Sequence, residues 1–341
     1  MMKLAILGAG RVGQTLKKLL ENKFDIIVGD LQQNSPEIIA VNAADSKGLY
    51  KFLSGVSIVI SAADFTANKQ VASAAVELGI HYVDLTEDVE TTRFVRSLES
   101  NAQVSLVPQC GLAPGAIDIV GAHLLRQFEK PLSLKLRVGA LPLYPANRMS
   151  YYLSWNTAGL LNEYVHPCEA IVEEQKVMSK PLEGLEKIEI DGYEYEAFNT
   201  SGGAGTLVET FAGKVQELDY KTIRYPGHVD YLRFMFEDLG LKERMDLANE
   251  IFNHNVPTTE DDVVVFFAKA IGYLDGKLTE RNWVRKIYGK DGMTAIQLCT
   301  ASGAAEVVSM LGEGLLKPGF VKQEDLSFER FIQGEFGRIF A

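Results

Sequence analysis

The chain has 341 residues, enough for about two domains at the usual ~100–200 residues each. Its 45 acidic residues outnumber 34 basic ones, giving a formal charge of −11 and no net attraction for a nucleic-acid backbone or an anionic lipid surface. Apolar residues make up 47% and charged residues 23%, an ordinary globular balance, and no run approaches the ~18 consecutive apolar residues of a membrane span.

At the N-terminus, Leu4-Ala5-Ile6-Leu7 turns to glycine at once and is shorter than the ~7–15 residues of a signal-peptide core, so a cytoplasmic location is expected. Cys110, Cys168 and Cys299 form no CxxC pair, which argues against a disulfide framework. The histidines at 81, 123, 166, 228 and 254 never stand at i, i+4, so no metal site is expected.

The first third alternates short β-branched runs with helical periods. Strands are predicted at Lys3–Leu7, Asp25–Asp30, Ile38–Ala43, Val56–Ala62, Tyr82–Leu85 and Val104–Pro108. Helices fall between them at Val12–Glu21, Ser46–Leu53, Ala67–Leu78 and Val89–Asn101. That alternation predicts an α/β fold, a doubly wound parallel sheet of the Rossmann type over residues 1–117. After Gly115 a helix leads into longer strands. Asp191-Gly192 and Asp275-Gly276 read as tight turns of antiparallel hairpins, Lys187–Ile190 with Tyr193–Asn199 and Val263–Leu274 with Lys277–Ile287. Residues 118–293 are therefore expected to form a second, α+β domain on a mainly antiparallel sheet. The helical stretch Thr294–Gly312 and the rest of residues 294–341 are expected to pack back near the first domain.

Gly8-Ala9-Gly10-Arg11-Val12-Gly13 closes the first strand and opens the first helix, within a unit ending at Asp30. The first glycine permits the turn, the second lets backbone approach a pyrophosphate, and the third lets helix and strand pack closely. Asp30 is placed to accept hydrogen bonds from a ribose, and the following Leu31-Gln32-Gln33-Asn34 brings no cation for a 2′-phosphate, which favours NAD over NADP. Asp45 is either an adenine neighbour or a helix cap. Small residues Ala62 and Ala63 after the fourth strand leave room for a nicotinamide half.

Asp84 and Glu87 end the fifth strand, where they either hold a cationic amine or serve as solvated acids beside a helix cap at Thr86 or Asp88. His228 follows a Pro226-Gly227 turn and opens a helix with apolar residues at Leu232, Met235, Phe236 and Leu239 before Gly240. A helix N-terminus and the nearby Arg224 disfavour imidazolium, leaving a neutral ring able to act as a base, while Arg224 and free backbone N–H groups can bind a carboxylate. The bland alternative is a capping histidine and a surface arginine.

Five segments follow in the order seen in one family: Gly8–Gly13, Cys110-Gly111-Leu112-Ala113-Pro114-Gly115, Val138-Gly139-Ala140-Leu141-Pro142, Tyr152–Leu161 and Thr222–His228. Over nearly its whole length the sequence resembles the saccharopine dehydrogenase-like family. Asn162-Glu163-Tyr164 and Glu196-Ala197-Phe198 leading into Gly202-Gly203 are most similar to its lysine 6-dehydrogenase branch. Saccharopine-forming relatives typically carry Asp and Arg where this chain has Ala113 and Ala158, so a second dicarboxylate arm would lack its bidentate partner.

The resemblance implies an NAD-dependent oxidative deamination of lysine at the ε-carbon, with a free amino acid as the small-molecule partner. It also implies a homo-oligomer, commonly a dimer, with the second sheet at the interface. The expected roles are His228 as base or relay, Arg224 for the carboxylate, and Asp84 or Glu87 beside the amine, with Tyr152, Trp155 and Thr200 in the pocket wall. The alternative for Trp155 is ordinary core packing. Two alternatives stand beside this reading, a reductase joining an amine to an aldehyde and a regulator that only senses the dinucleotide.

Overall fold

Six parallel strands occupy the first third of the chain in a computed structural model that describes all 341 residues: β1 (Lys3–Leu7), β2 (Asp25–Asp30), β3 (Ile38–Ala40), β4 (Ile58–Ser61), β5 (His81–Asp84) and β6 (Ser105–Val107). Their order is β6-β5-β4-β1-β2-β3, so the winding reverses between β1 and β4. Helices Arg11–Leu20, Ser46–Leu53, Asn68–Leu78 and Val89–Ser97 alternate with the strands. All four residues of β4 are buried, as a parallel strand covered on both faces requires. The third strand stops three residues short of its expected end, which leaves residues 41–44 as a loop at the carboxyl edge of the sheet.

The next strands are β7 (Lys130–Pro142), β8 (Cys168–Val172), β9 (Gln175–Ser179), β10 (Glu186–Ile190), β11 (Tyr193–Asn199), β12 (Glu217–Arg224), β13 (Asp262–Leu274) and β14 (Lys277–Tyr288). They form a second sheet, β10-β11-β12-β7-β13-β14, with β8 on β12 and β9 on β8. Each pairing is antiparallel except β7 with β12, so the sheet is mixed. The two Asp-Gly turns have positive φ at both central residues, +53° and +76° in one and +51° and +70° in the other. That geometry suits the twist of a hairpin. The β8–β9 hairpin turns instead on Glu173 and Glu174, at φ +48° and +68°, residues that carry no turn signature.

The chain then returns through helix Ala295–Gly312 to β15 (Gly319–Phe320), which pairs in parallel with β6 as a seventh strand of the first sheet. Two compact units result, residues 1–119 with 297–341 and residues 120–296. The changes of unit fall inside helices Ala116–Arg126 and Ala295–Gly312, so the shift in sequence texture at Gly115 marks a helix start. By length and composition Ala295–Gly312 is apolar enough to cross a membrane, yet 78% of it is buried within the protein, as in a core helix. It reaches that apolarity with small residues: a Cβ at Gly303 would stand 2.6 Å from the Gly111 carbonyl oxygen.

Glu306 on the same helix is 1% exposed and receives Arg330 Nη1 at 2.6 Å and the backbone N–H groups of Phe336 and Gly337 at 2.9 and 3.1 Å. One buried carboxylate thus ties down the last turn of the chain. Glu306→Ala strands these donors and should cost about 3 kcal/mol, read as a lowered urea midpoint with early proteolysis of the C-terminal segment. An unchanged midpoint would remove Glu306 from this role.

Candidate active site

The carboxyl ends of β1, β2 and β4 and the loop after β3 wall a cavity of about 600 Å³ in the first unit. Gly8, Gly10, Asp30, Ala62 and Ala63 lie in that wall, together with Asn42, Ala43, Ala44, Asp64, Thr66 and Gln70. Gly8 stands at φ +108° with Ala62 so close that a Cβ would meet its carbonyl oxygen at 2.5 Å. Gly13 works from behind the wall, where a Cβ would lie 1.9 Å from the Gly8 oxygen. Gly10, with no atom within 4 Å of where its Cβ would be, faces open space as a backbone approached by a pyrophosphate should.

Asp30 Oδ2 accepts the Ala9 N–H at 2.6 Å and Oδ1 the Gln32 N–H at 2.9 Å. Each oxygen keeps a lone pair for a ribose hydroxyl. The switch point, the glycine turn, the carboxylate and the small residues all fit a dinucleotide. Arg11 is exposed and, like Val12, lies outside the wall. Asp45 also lies outside it, as the exposed N-cap residue of helix Ser46–Leu53, with its carboxylate turned toward Gly48. It holds the N-cap position expected of a helix cap, but its side chain makes no cap hydrogen bond.

The two acids after β5 diverge. Asp84 is fully buried, its Oδ1 accepting the N–H groups of Thr86 and Gln109 and its Oδ2 the Tyr82 hydroxyl. Burial pushes its pKa up to about 6 against these donors. It clamps Gln109, which stands at φ +65°, to the end of β5, and this corrects its expected place beside an amine. Glu87 is only half-buried, and desolvation reinforced by Asp88, Asp84 and Asp64 raises its pKa to about 7. Asp64, the last of these acids, is in the cavity wall, whereas Glu87 does not line it. Asp88 makes the helix cap, accepting the Thr91 N–H at 2.7 Å.

Cys110, 1% exposed, bonds Val107 and receives Gln323 Nε2, and burial drives its thiol pKa far up. It is a packed, inert thiol.

In the second unit β12 ends at Arg224 and helix His228–Arg233 begins four residues later. Arg224 is 3% exposed and lies over the Tyr151 ring at 4.9 Å. Its Nε and Nη2 donate to the Tyr164 hydroxyl at 3.3 and 3.0 Å, and Nη1 to the Ile223 carbonyl. Three of its five N–H groups are thereby used, and none meets a carboxylate. His228 is 1% exposed with Nδ1 2.9 Å from the Met149 carbonyl. A carbonyl only accepts, so Nδ1 carries the proton and Nε2 presents its lone pair to the Tyr164 hydroxyl 3.4 Å away. Burial, with Arg224 second, lowers the His228 pKa to about 3.

The ring is therefore neutral as expected, but it is held by Tyr164 and does not titrate near pH 7, which corrects its assignment as base. The helix N–H groups are also taken. Glu196 caps them, its two oxygens each 2.7 Å from the N–H groups of Gly227 and Val229.

Thr200 is buried and bonded to Thr222 at 2.7 Å, Tyr152 is half-buried with its hydroxyl accepting the Ala146 N–H, and Trp155 packs beside the cluster that holds Leu160 and Phe236. Tyr151 and Tyr164 were missed by sequence reasoning, because nothing in a tyrosine's local context says which buried partner its hydroxyl meets. The expected helix over Leu232–Leu239 widens into a π turn at Phe234–Asp238, which leaves Leu239 59% exposed.

A glycine turn, a ribose-facing carboxylate and a switch-point cavity define a nicotinamide-cofactor oxidoreductase. Residues 4–108 match the saccharopine dehydrogenase NADP binding domain and residues 111–336 the saccharopine dehydrogenase C-terminal domain, so the chain belongs to the saccharopine dehydrogenase family. Among curated proteins, the alpha-aminoadipic semialdehyde synthase of Arabidopsis thaliana is 25% identical over 139 residues, which is 39% of this chain and only 13% of that protein. Among solved structures, apo saccharopine dehydrogenase (L-Glu forming) from Saccharomyces cerevisiae superposes with a TM-score of 0.79 at 16% identity, covering 100% of this chain and 96% of that one. The C. glutamicum DAP dehydrogenase in complex with DAP reaches 0.52 at 10% identity over 96% and 95%. At these identities the structures share the fold.

Asp30→Ala removes the acceptor of the Ala9 N–H and of the ribose together. It should weaken dinucleotide binding about tenfold or more by titration calorimetry with NADH, the size of a lost charge-assisted bond. Unchanged affinity would take Asp30 out of the site.

Proposed function

We propose that the protein is an NAD-dependent dehydrogenase that acts on the CH–NH₂ group of a free amino acid, deaminating L-lysine at the ε-carbon to 2-aminoadipate 6-semialdehyde and ammonia. The observation that carries this reading is Arg224, a buried cation whose hydrogen bonds go to a tyrosine and a carbonyl, with two N–H groups left for a ligand carboxylate. One such cation suits one carboxylate. Ala158, exposed in the first turn of helix Thr157–Val165, supplies no second cation for a dicarboxylate arm.

NAD is favoured over NADP because a 2′-phosphate would meet the Asp30 charge, and no Arg or Lys lies in the cavity wall. The matched first domain is named for NADP binding, and calorimetry with NADH against NADPH measures the preference directly.

A nicotinamide dinucleotide held by the Gly8–Gly13 turn and Asp30 would supply the hydride acceptor for oxidation at the ε-carbon. The protein must first take a proton from the ε-ammonium, since only a neutral amine has the lone pair that drives hydride departure. Glu87, three residues beyond the carboxyl end of β5 and with a pKa raised to about 7, is suited to that task. Water then adds to the substrate imine and ammonia leaves. His228 and Tyr164 orient Arg224 and exchange no proton with solvent in this scheme. A reductase joining an amine to an aldehyde is the second reading, supported by the saccharopine dehydrogenase domains that match, and Ala158 weighs against it.

L-lysine with NAD should yield NADH and ammonia in equal amounts, whereas the reductase would consume NADH only when amine and aldehyde are supplied together. Because Glu87 must be ionised to act, kcat should fall as pH drops through about 7. Glu87→Gln should lower kcat by about 10²–10⁴ and remove that acid limb. A retained limb would place the base elsewhere.

A further inference from the structure

We propose that Tyr151 and Ser154 complete a buried carboxylate-binding site around Arg224, and that these two hydroxyls set the preference for substrates carrying a free α-carboxylate. The inference rests on the amino-acid reading above and extends it to residues that reading does not use.

The Tyr151 side chain is fully buried and its hydroxyl has no hydrogen-bond partner; Ser154 is 6% exposed and its hydroxyl has none either. Ser154 and Trp155 stand near enough to act on the Tyr151 hydroxyl, but neither hydroxyl makes a bond of proper geometry. Buried polar groups without partners are rare in folded proteins because their lost hydration goes uncompensated, so each calls for an explanation. Here they share one place. The Tyr151 ring lies 4.9 Å beneath the Arg224 guanidinium, which has its own two unclaimed N–H groups.

The neighbouring polar groups are committed elsewhere. Glu196 is held by the Gly227 and Val229 N–H groups, Thr200 by Thr222, and His228 by Met149 and Tyr164. Glu163 acts on Arg224 and Tyr151 through its charge, yet the Arg224 bonds go to Tyr164 and Ile223. What remains unfilled is a set of donors: guanidinium N–H and two hydroxyls. A carboxylate, acceptor-only with about four lone-pair sites and planar like the guanidinium fork, is the ligand class that satisfies them.

The test is binding to the full chain, by calorimetry, of three probes: L-lysine, L-norleucine, which keeps the carboxylate and lacks the ε-amine, and cadaverine, which keeps both amines and lacks the carboxylate. Wild type should bind lysine and norleucine and bind cadaverine at least about tenfold more weakly. Tyr151→Phe and Ser154→Ala should each weaken lysine and norleucine about tenfold, the size of a lost charge-assisted bond, and leave cadaverine and NADH affinity unchanged. The free Tyr151→Phe protein should melt no lower than wild type, since it loses an unsatisfied hydroxyl, which separates ligand binding from folding.

Norleucine failing to bind wild type, or binding both variants within twofold of wild type, overturns the proposal. Norleucine binding that depends on both hydroxyls supports the site even if lysine yields no NADH, an outcome that would defeat only the deamination reading.

Discussion

The close approach of the first glycine turn to the ends of β1 and β4 is the constraint on which the first unit depends. Gly8 lies against the Ala62 carbonyl and Gly13 against Gly8, with no room for a Cβ at either. That contact puts the start of helix Arg11–Leu20 at the switch point and leaves Gly10 facing open space. Asp30 then ties the turn to the end of β2 through the Ala9 N–H. The same carboxylate is structural and ligand-facing at once, because an ionised acid has more lone pairs than the turn consumes.

The second unit is organised by the opposite problem, a buried cation. Arg224 is desolvated among Tyr151, Tyr164 and apolar side chains, and its neighbours answer in ways that keep its charge available. Tyr164 accepts from it and passes its own proton toward His228. His228 stays neutral because burial and the adjacent guanidinium both oppose a second positive charge. Glu196 goes to the backbone of the next helix and leaves the arginine alone.

Environment also separates the two acids after β5. Asp84 has its oxygens filled by three donors and serves as a clamp, while Glu87, three residues on, is raised toward neutrality by partial burial and by other acids. A carboxylate spent on structural donors has little left for chemistry. One that is poorly solvated and surrounded by like charge holds its proton near physiological pH, where a base is useful.

Legible in the chain alone were the alternation of buried strands with helices, the glycine turn with Asp30 and both Asp-Gly hairpins. Each rests on a local rule: strand burial on two faces, a Cβ clash, or positive φ in a two-residue turn. It took the packed chain to establish that β7 and β12 run parallel, that Glu173 and Glu174 can turn a hairpin, that Glu196 occupies the helix start ahead of any ligand, and that Tyr151 and Tyr164 lie against Arg224. These depend on which distant groups share a buried space, and the cost of leaving a donor, acceptor or charge unpaired there is a property of that space and not of any segment of the chain.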